Sequence, residues 1–133
     1  MSKSELIELI IASSKSDWTI HFDYNTNITT YIFNKDISIL IELEETGPFN
    51  SENWTNIFPD KSSQTVEFRI KKDNNLIEKK HFVYTDGRRY LFPLPKIENG
   101  IAFFEKEDEA LAKIFSDGDL SLYKHAILNN YEQ

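Results

Sequence analysis

The sequence predicts an α+β fold: one domain spanning residues 1–133, built on a mostly antiparallel, twisted sheet of about six strands in two meanders. Three observations carry that prediction. Several segments alternate apolar and polar residues with a period of two. Turn-forming residues separate them at short intervals, so sequence neighbours pair as hairpins. Helical spacing of apolar residues is confined to the two ends, which predicts an N-terminal helix and one or two C-terminal helices packed on one face of the sheet. A chain of 133 residues fits one domain and buries about two-thirds of its unfolded surface, enough for a core without staples.

Taken in order, Ser2 and Glu5 have the spacing of a capping box and open a helix over 3–14, with Leu6, Ile7, Leu9, Ile10 and Ile11 as its apolar residues and Ser13-Ser14 as its end. Trp18, Ile20, Phe22 and Tyr24 then alternate with Thr19, His21 and Asp23 as a half-buried strand. Asn25-Thr26-Asn27 turns the chain, because Asn tolerates left-handed backbone. Thr30–Phe33 returns, and Asn34-Lys35-Asp36 turns again. Ile37, Ile39, Ile41 and Leu43, alternating with Ser38, Leu40, Glu42 and Glu44, make the clearest strand. Residues 46–63 break the pattern with Gly47-Pro48, Pro59-Asp60 and Ser62-Ser63, and hold Trp54, Ile57 and Phe58 in a long connection with a short helix near Ser51–Ile57.

The second meander begins with Val66, Phe68 and Ile70, alternating with Glu67, Arg69 and Lys71. Asp73-Asn74-Asn75 gives a tight hairpin turn, Leu76–Thr85 returns, and Asp86-Gly87 is the strongest type I′ signal in the chain. Arg88–Leu94 completes the meander, with Pro93 and Pro95 marking its end or an edge. Asn99-Gly100 turns into the short apolar piece Ile101–Phe104. Acids from Glu105 to Glu109 favour a helix N-terminus. Ala110, Leu111, Ile114 and Phe115 supply its buried stripe, and Gly118 its C-terminal cap. Asp119 caps a last helix carrying Leu120, Tyr123, Ala126 and Ile127.

Composition narrows the chemistry. There is no cysteine, which removes disulfides, thiolate metal sites and thiol nucleophiles. The four glycines are scattered, so no phosphate-cradling loop of the usual kind exists. The apolar run Leu6–Ala12 is too short for a membrane span and is interrupted by Glu8. A cytoplasmic protein with no membrane partner is the expectation. A pI near 4.9 argues against nucleic acid, which needs a basic footprint. Pro59-Asp60 followed by Glu67-Phe68-Arg69 resembles the Pro-Asp…Glu-x-Lys signature of restriction-type nucleases. The spacing is too short, though, and Arg stands where Lys belongs.

Charge falls into three blocks. Residues 1–60 carry ten acids and three lysines, residues 61–96 nine bases and four acids, and residues 97–133 eight acids and three lysines. Segregated charge speaks to steering and partners. Lysines 71, 72, 79 and 80 with Arg88 and Arg89 cluster around two hairpins, where bases also discourage edge-to-edge aggregation. The outward face of the strands collects Thr19, His21, Asp23, Ser38, Glu42, Glu44, Glu67, Arg69 and Lys71.

On that face Glu42 and Glu44 lie roughly 7 Å apart by strand geometry. Paired carboxylates can serve as acid and base or hold a divalent ion, but no third ligand stands at diagnostic spacing. Asp117-Gly118-Asp119 lacks the remaining ligands of a calcium loop. His21 and Asp23 share a strand face, which can orient an imidazole as a base, whereas no Ser sits in a nucleophile elbow. No metal and no cofactor are expected.

These features favour a protein-binding module over an enzyme. The expected contact residues are Glu42, Glu44, Glu45, Glu52 and Trp54, with Glu105, Glu107 and Asp108 as a second acidic landing site. In size and charge alone the chain is similar to bacterial immunity proteins, which block a cognate toxin that is often a basic nuclease. That resemblance implies a basic protein partner and rests on no motif. The alternatives are a subunit of a larger assembly, or a homodimer formed through a strand edge, and a small enzyme using His21 and Asp23 on the polar face.

Overall fold

The computed structural model describes residues 1–49, 63–117, 120, 121 and 124. By its contacts the chain divides into two units, Met1–Thr46 with Val66–His81, and Gly47–Thr65 with Phe82–Gln133. The strands form one antiparallel sheet in sequence order: β1 (Trp18–Asp23), β2 (Ile28–Phe33), β3 (Ile39–Pro48), β4 (Gln64–Lys72), β5 (Asn75–Thr85) and β6 (Tyr90–Pro93). Helix α1 (Lys3–Ile11) precedes the sheet and α2 (Lys106–Phe115) follows it. The predicted α+β class and the six-stranded meander order are both present.

In the first unit, α1 starts on the predicted capping box: Ser2 Oγ accepts from the Glu5 amide at 3.1 Å and Glu5 Oε1 accepts from the Ser2 amide at 3.3 Å. It buries Leu6, Ile7 and Ile10 and ends three residues earlier than expected. Ser13 donates its amide to the Ile10 carbonyl, and a second box, Ser14 with Asp17, winds Lys15–Asp17 into a single 3-10 turn. Trp18 is anchored there by its Nε1, which donates to Ser13 Oγ at 2.9 Å, and its ring lies 4.8 Å from that of Phe33.

β3 and β4 keep the predicted alternation. Ile39, Ile41, Leu43, Val66, Phe68 and Ile70 are wholly buried, and the residues between them are not. Two expectations here need correction. Ile37 is 77% exposed rather than strand-buried. Asp36 accepts from the Ser38 amide and hydroxyl and from the Ile39 amide, which holds 36–39 in a turn, so the strand begins at Ile39. Nor does β1 alternate into the core beyond Trp18. Ile20 pairs with buried Tyr31 yet is 50% exposed, and Tyr24 lies in the turn at 85%. Among the described residues β1 is an end strand with a neighbour on one side only, so its inward stripe runs out of cover.

In the second unit the end of β3 and the start of β4 remain paired beyond the point where turn chemistry suggested a break. Thr65 Oγ1 donates to the Gly47 carbonyl at 2.9 Å and the Phe49 amide donates to the Ser63 carbonyl at 2.9 Å. Pro48 is tolerated because it is the terminal residue of β3. The Asp86-Gly87 turn is wider than predicted. Asp86, Gly87 and Arg88 all have positive φ, and β6 starts at Tyr90, opposite Thr85.

A strand missed in the sequence, β7 (Lys96–Glu98), pairs with β8 (Ile101–Phe103) through the predicted Asn99-Gly100 turn, as a separate two-stranded sheet. α2 buries Asp108, Leu111, Ala112 and Phe115, so its inward stripe is rotated from the expected one: Ala112 replaces Ala110 and an acid joins it. Leu91 donates its amide to Ser116 Oγ at 3.0 Å and Asp117 donates its amide to the Arg89 carbonyl at 2.8 Å, which fastens the end of α2 to β6. Of the predicted last helix, one turn is described: the Lys124 amide donates to the Leu120 carbonyl at 2.8 Å. The predicted helix at Ser51–Ile57, the Gly118 and Asp119 caps, Tyr123, Ala126 and Ile127 lie outside the described residues.

Candidate functional site

Because β3 and β4 are neighbours and both alternate, their polar faces coincide. This brings a strand of acids against a strand of bases. Arg69 sits at the centre, its side chain 14% exposed. Its Nε donates to Glu42 Oε1 at 3.1 Å, and its Nη1 donates to Glu44 Oε1 at 2.7 Å and to Glu67 Oε1 at 3.0 Å. Lys71 Nζ reaches the same Glu42 Oε1 at 2.8 Å. One turn away, Lys72 pairs with Asp36 and Asp73 at 3.4 and 3.6 Å. The first acidic block and the basic block thus meet across a strand pair.

The electrostatics follow from that packing. Burial alone would push the Arg69 guanidinium down, but the hydrogen bonds to Glu44, Glu67 and Glu42 outweigh it and raise it above its ordinary value. Burial works against the Glu42 carboxylate too, and Lys71 and Arg69 together still hold it below the usual range. Glu67 is lowered chiefly by its hydrogen bond from Arg69. Three carboxylates face the Arg69 guanidinium and the Lys71 ammonium, and the charge of Lys79 also acts on Glu67. Every one of these contacts is made through Oε1, and among the described residues no partner engages Oε2 of Glu42, Glu44 or Glu67.

The predicted contact residues therefore separate. Glu42 and Glu44 share one cluster, whose organiser, Arg69, and third acid, Glu67, were placed on this face by the strand period but not singled out. The signal for them was parity, since residues 67, 69 and 71 lie on the face of 42 and 44 once the two strands are paired. Glu45 is half-buried beside them in sequence. In the second unit Glu105 stands at the N-cap of α2 without a side-chain cap bond and pairs with Lys96 at 2.7 Å. Glu107 is exposed, whereas Asp108 is 8% exposed and faces inward, so it is withdrawn from any surface contact. Glu52 and Trp54 lie outside the described residues.

His21 is exposed, and its side chain has no hydrogen-bond partner among the described residues. Asp23 Oδ1 is occupied by the Asn25 amide at 2.9 Å, as a turn cap. A cavity of about 240 Å³ lies in the second unit, lined by Phe92, Pro93, Phe104, Ala112, Leu120 and the Glu109–Lys124 ion pair, and neither His21 nor Asp23 borders it. Among the described residues no group of three or more His, Asp or Glu side chains is arranged to hold a metal ion, and no helix is long and apolar enough to cross a membrane. No protein-family model, curated protein or solved structure matches the chain.

Proposed function

We propose that the chain is a small protein-binding module of the inhibitor or immunity type, which neutralises a basic protein such as a nuclease-like toxin. The observation that supports this reading is the carboxylate rack on Arg69. Glu42, Glu44 and Glu67 are each fixed through one oxygen, and the other is left to accept. An incoming Lys or Arg would meet acceptors that are already ordered, so little side-chain freedom is lost on binding, and charge-assisted bonds to such acceptors are among the strong ones. The formal net charge of -7 would speed the encounter with a cationic partner and make the affinity fall with salt.

Within the first unit the proposed contacts are Glu42, Glu44, Glu45 and Glu67. Glu105 and Glu107 are a separate candidate in the second unit, and Glu52 and Trp54 remain candidates from the sequence. A cytoplasmic site of action belongs to the same proposal, since a chain without cysteine suits a reducing compartment.

The test is a tagged pull-down from native lysate, washed at low and then high salt, run with the native chain and with Glu44→Gln/Glu67→Gln. A stoichiometric basic protein held by the native chain, released by salt and lost with the double variant supports the reading. An empty column, or a partner retained equally by both, removes it.

A further inference from the structure

We propose that the chain forms a symmetric homodimer in which β1 of one copy pairs antiparallel with β1 of a second copy, about a two-fold axis at Phe22. β1 ends the sheet, and among the described residues no strand borders its outer edge. Its inward stripe is under-covered there: Ile20 is 50% exposed, Phe22 is half-buried, and Tyr24 is 85% exposed with its ring 4.7 Å from that of Phe22. An open strand edge with an apolar stripe is a template for one more strand.

The backbone restricts how that strand can dock. The Asp17 carbonyl accepts from the Asn34 amide and the Asp23 carbonyl from the Asn27 amide, both within the hairpin. Strand alternation then turns the backbone groups of the odd-numbered residues towards β2 and those of Ile20 and Phe22 outwards. A second copy must bring outward groups against outward groups, which leaves registers centred on residue 20, 21 or 22. Centring on Ile20 sets Asp23 against Asp17 of the second copy. A register centred on His21 sets the two imidazoles against each other. With Phe22 at the centre, His21 faces Asp23 of the second copy, twice by symmetry, and Phe22 faces Phe22 on the other side of the sheet. Only this last register sets an imidazole against a carboxylate while keeping apolar opposite apolar, and such cross-strand pairs are what fix register. The contact is isologous, so it closes as a dimer instead of propagating.

Sedimentation velocity from about 1 to about 200 μM tests it on the full chain, over a range in which a weak strand-edge dimer is resolved. The native chain should pass from monomer to dimer. Ile20→Lys, at an exposed position, should remain monomeric with an unchanged circular dichroism spectrum. His21→Asp should weaken the dimer roughly tenfold by setting carboxylates in opposition. Mixing His21→Asp with Asp23→His should recover dimer, because each then supplies the charge the other lacks. A native chain that stays monomeric throughout overturns the proposal, as does a dimer indifferent to Ile20→Lys. Recovery absent from a mixture of two folded variants rejects the register centred on Phe22.

Discussion

β4 and β6 belong to one sheet but are stabilised in different ways. β4 alternates: Val66, Phe68 and Ile70 are wholly buried, while Glu67, Arg69 and Lys71 hold an ion-paired face. β6 is buried at every position, Tyr90 through Pro93. β5 changes from one regime to the other along its own length, with Leu76 to His81 largely open and Phe82 to Thr85 closed on both faces. On one face Val83, Tyr90 and Phe92 pack with Phe104; on the other stand Phe82, Tyr84 and Leu91. The lesson is that a polar strand face persists where opposite charges on neighbouring strands satisfy one another. Where β5 and β6 carry apolar residues at consecutive positions, both faces close.

Substitutions at adjacent positions break or sharpen that contrast. The largest effects belong to buried positions, and in β6 neighbours should both be costly: Leu91→Ala by about 2–5 kcal/mol and Phe92→Ala by about 3–5 kcal/mol. In β4 the cost should alternate. Phe68→Ala should lose about 3–5 kcal/mol, whereas Glu67→Ala should stay under about 1 kcal/mol, since Arg69 keeps two other acids and the site is partly open. Urea denaturation of the four variants checks this, and equal losses at Glu67 and Phe68 would contradict the contrast.

Arg69→Met comes next. It removes the guanidinium that Glu42, Glu44 and Glu67 share, leaving Glu42 on Lys71, and should cost about 2–3 kcal/mol at neutral pH, below the figure for a fully buried pair because Glu44 and Glu67 reach solvent. Ser2→Ala, which opens the capping box of α1, should lose about 1 kcal/mol or less. Ile37→Ser should change stability by no more than about 0.5 kcal/mol, because that side chain touches water and not the core.

Much of this was legible before any coordinates. Ile39, Ile41 and Leu43, and Val66, Phe68 and Ile70, declare two half-buried strands by parity alone. Ser2 with Glu5 and Asn99 with Gly100 have local chemistry sufficient to set a cap and a turn. The misreadings share a cause, namely that cover is not local. Ile20 and Ile37 are as apolar as Ile39, but one sits on an end strand and the other in a turn held by Asp36. The stripe of α2 was off by a residue or two because Asp108 is polar yet faces inward. Of the site, Glu42 and Glu44 were legible as a pair, and Arg69 was placed on the same face. That these residues bond to one another depends on β3 and β4 being neighbours, which is settled across the long connection between them.

The pH dependence of stability, for the native chain and Arg69→Met, tests the account of that pairing most directly. Glu42 and Glu67 titrate below their unfolded values. Their contribution is therefore full above the unfolded carboxylate range, near pH 4.3, and is lost as pH falls through the lowered folded values. In Arg69→Met, Glu42 keeps Lys71 and Glu67 loses its main hydrogen bond, so both should be lowered less than in the native chain. The account predicts nearly flat curves for both chains between about pH 7 and about pH 5, and below that a larger loss of stability for the native chain than for the variant as pH falls to about 3. Parallel curves would contradict it, and would mean that the carboxylates on β3 and β4 are not held by Arg69.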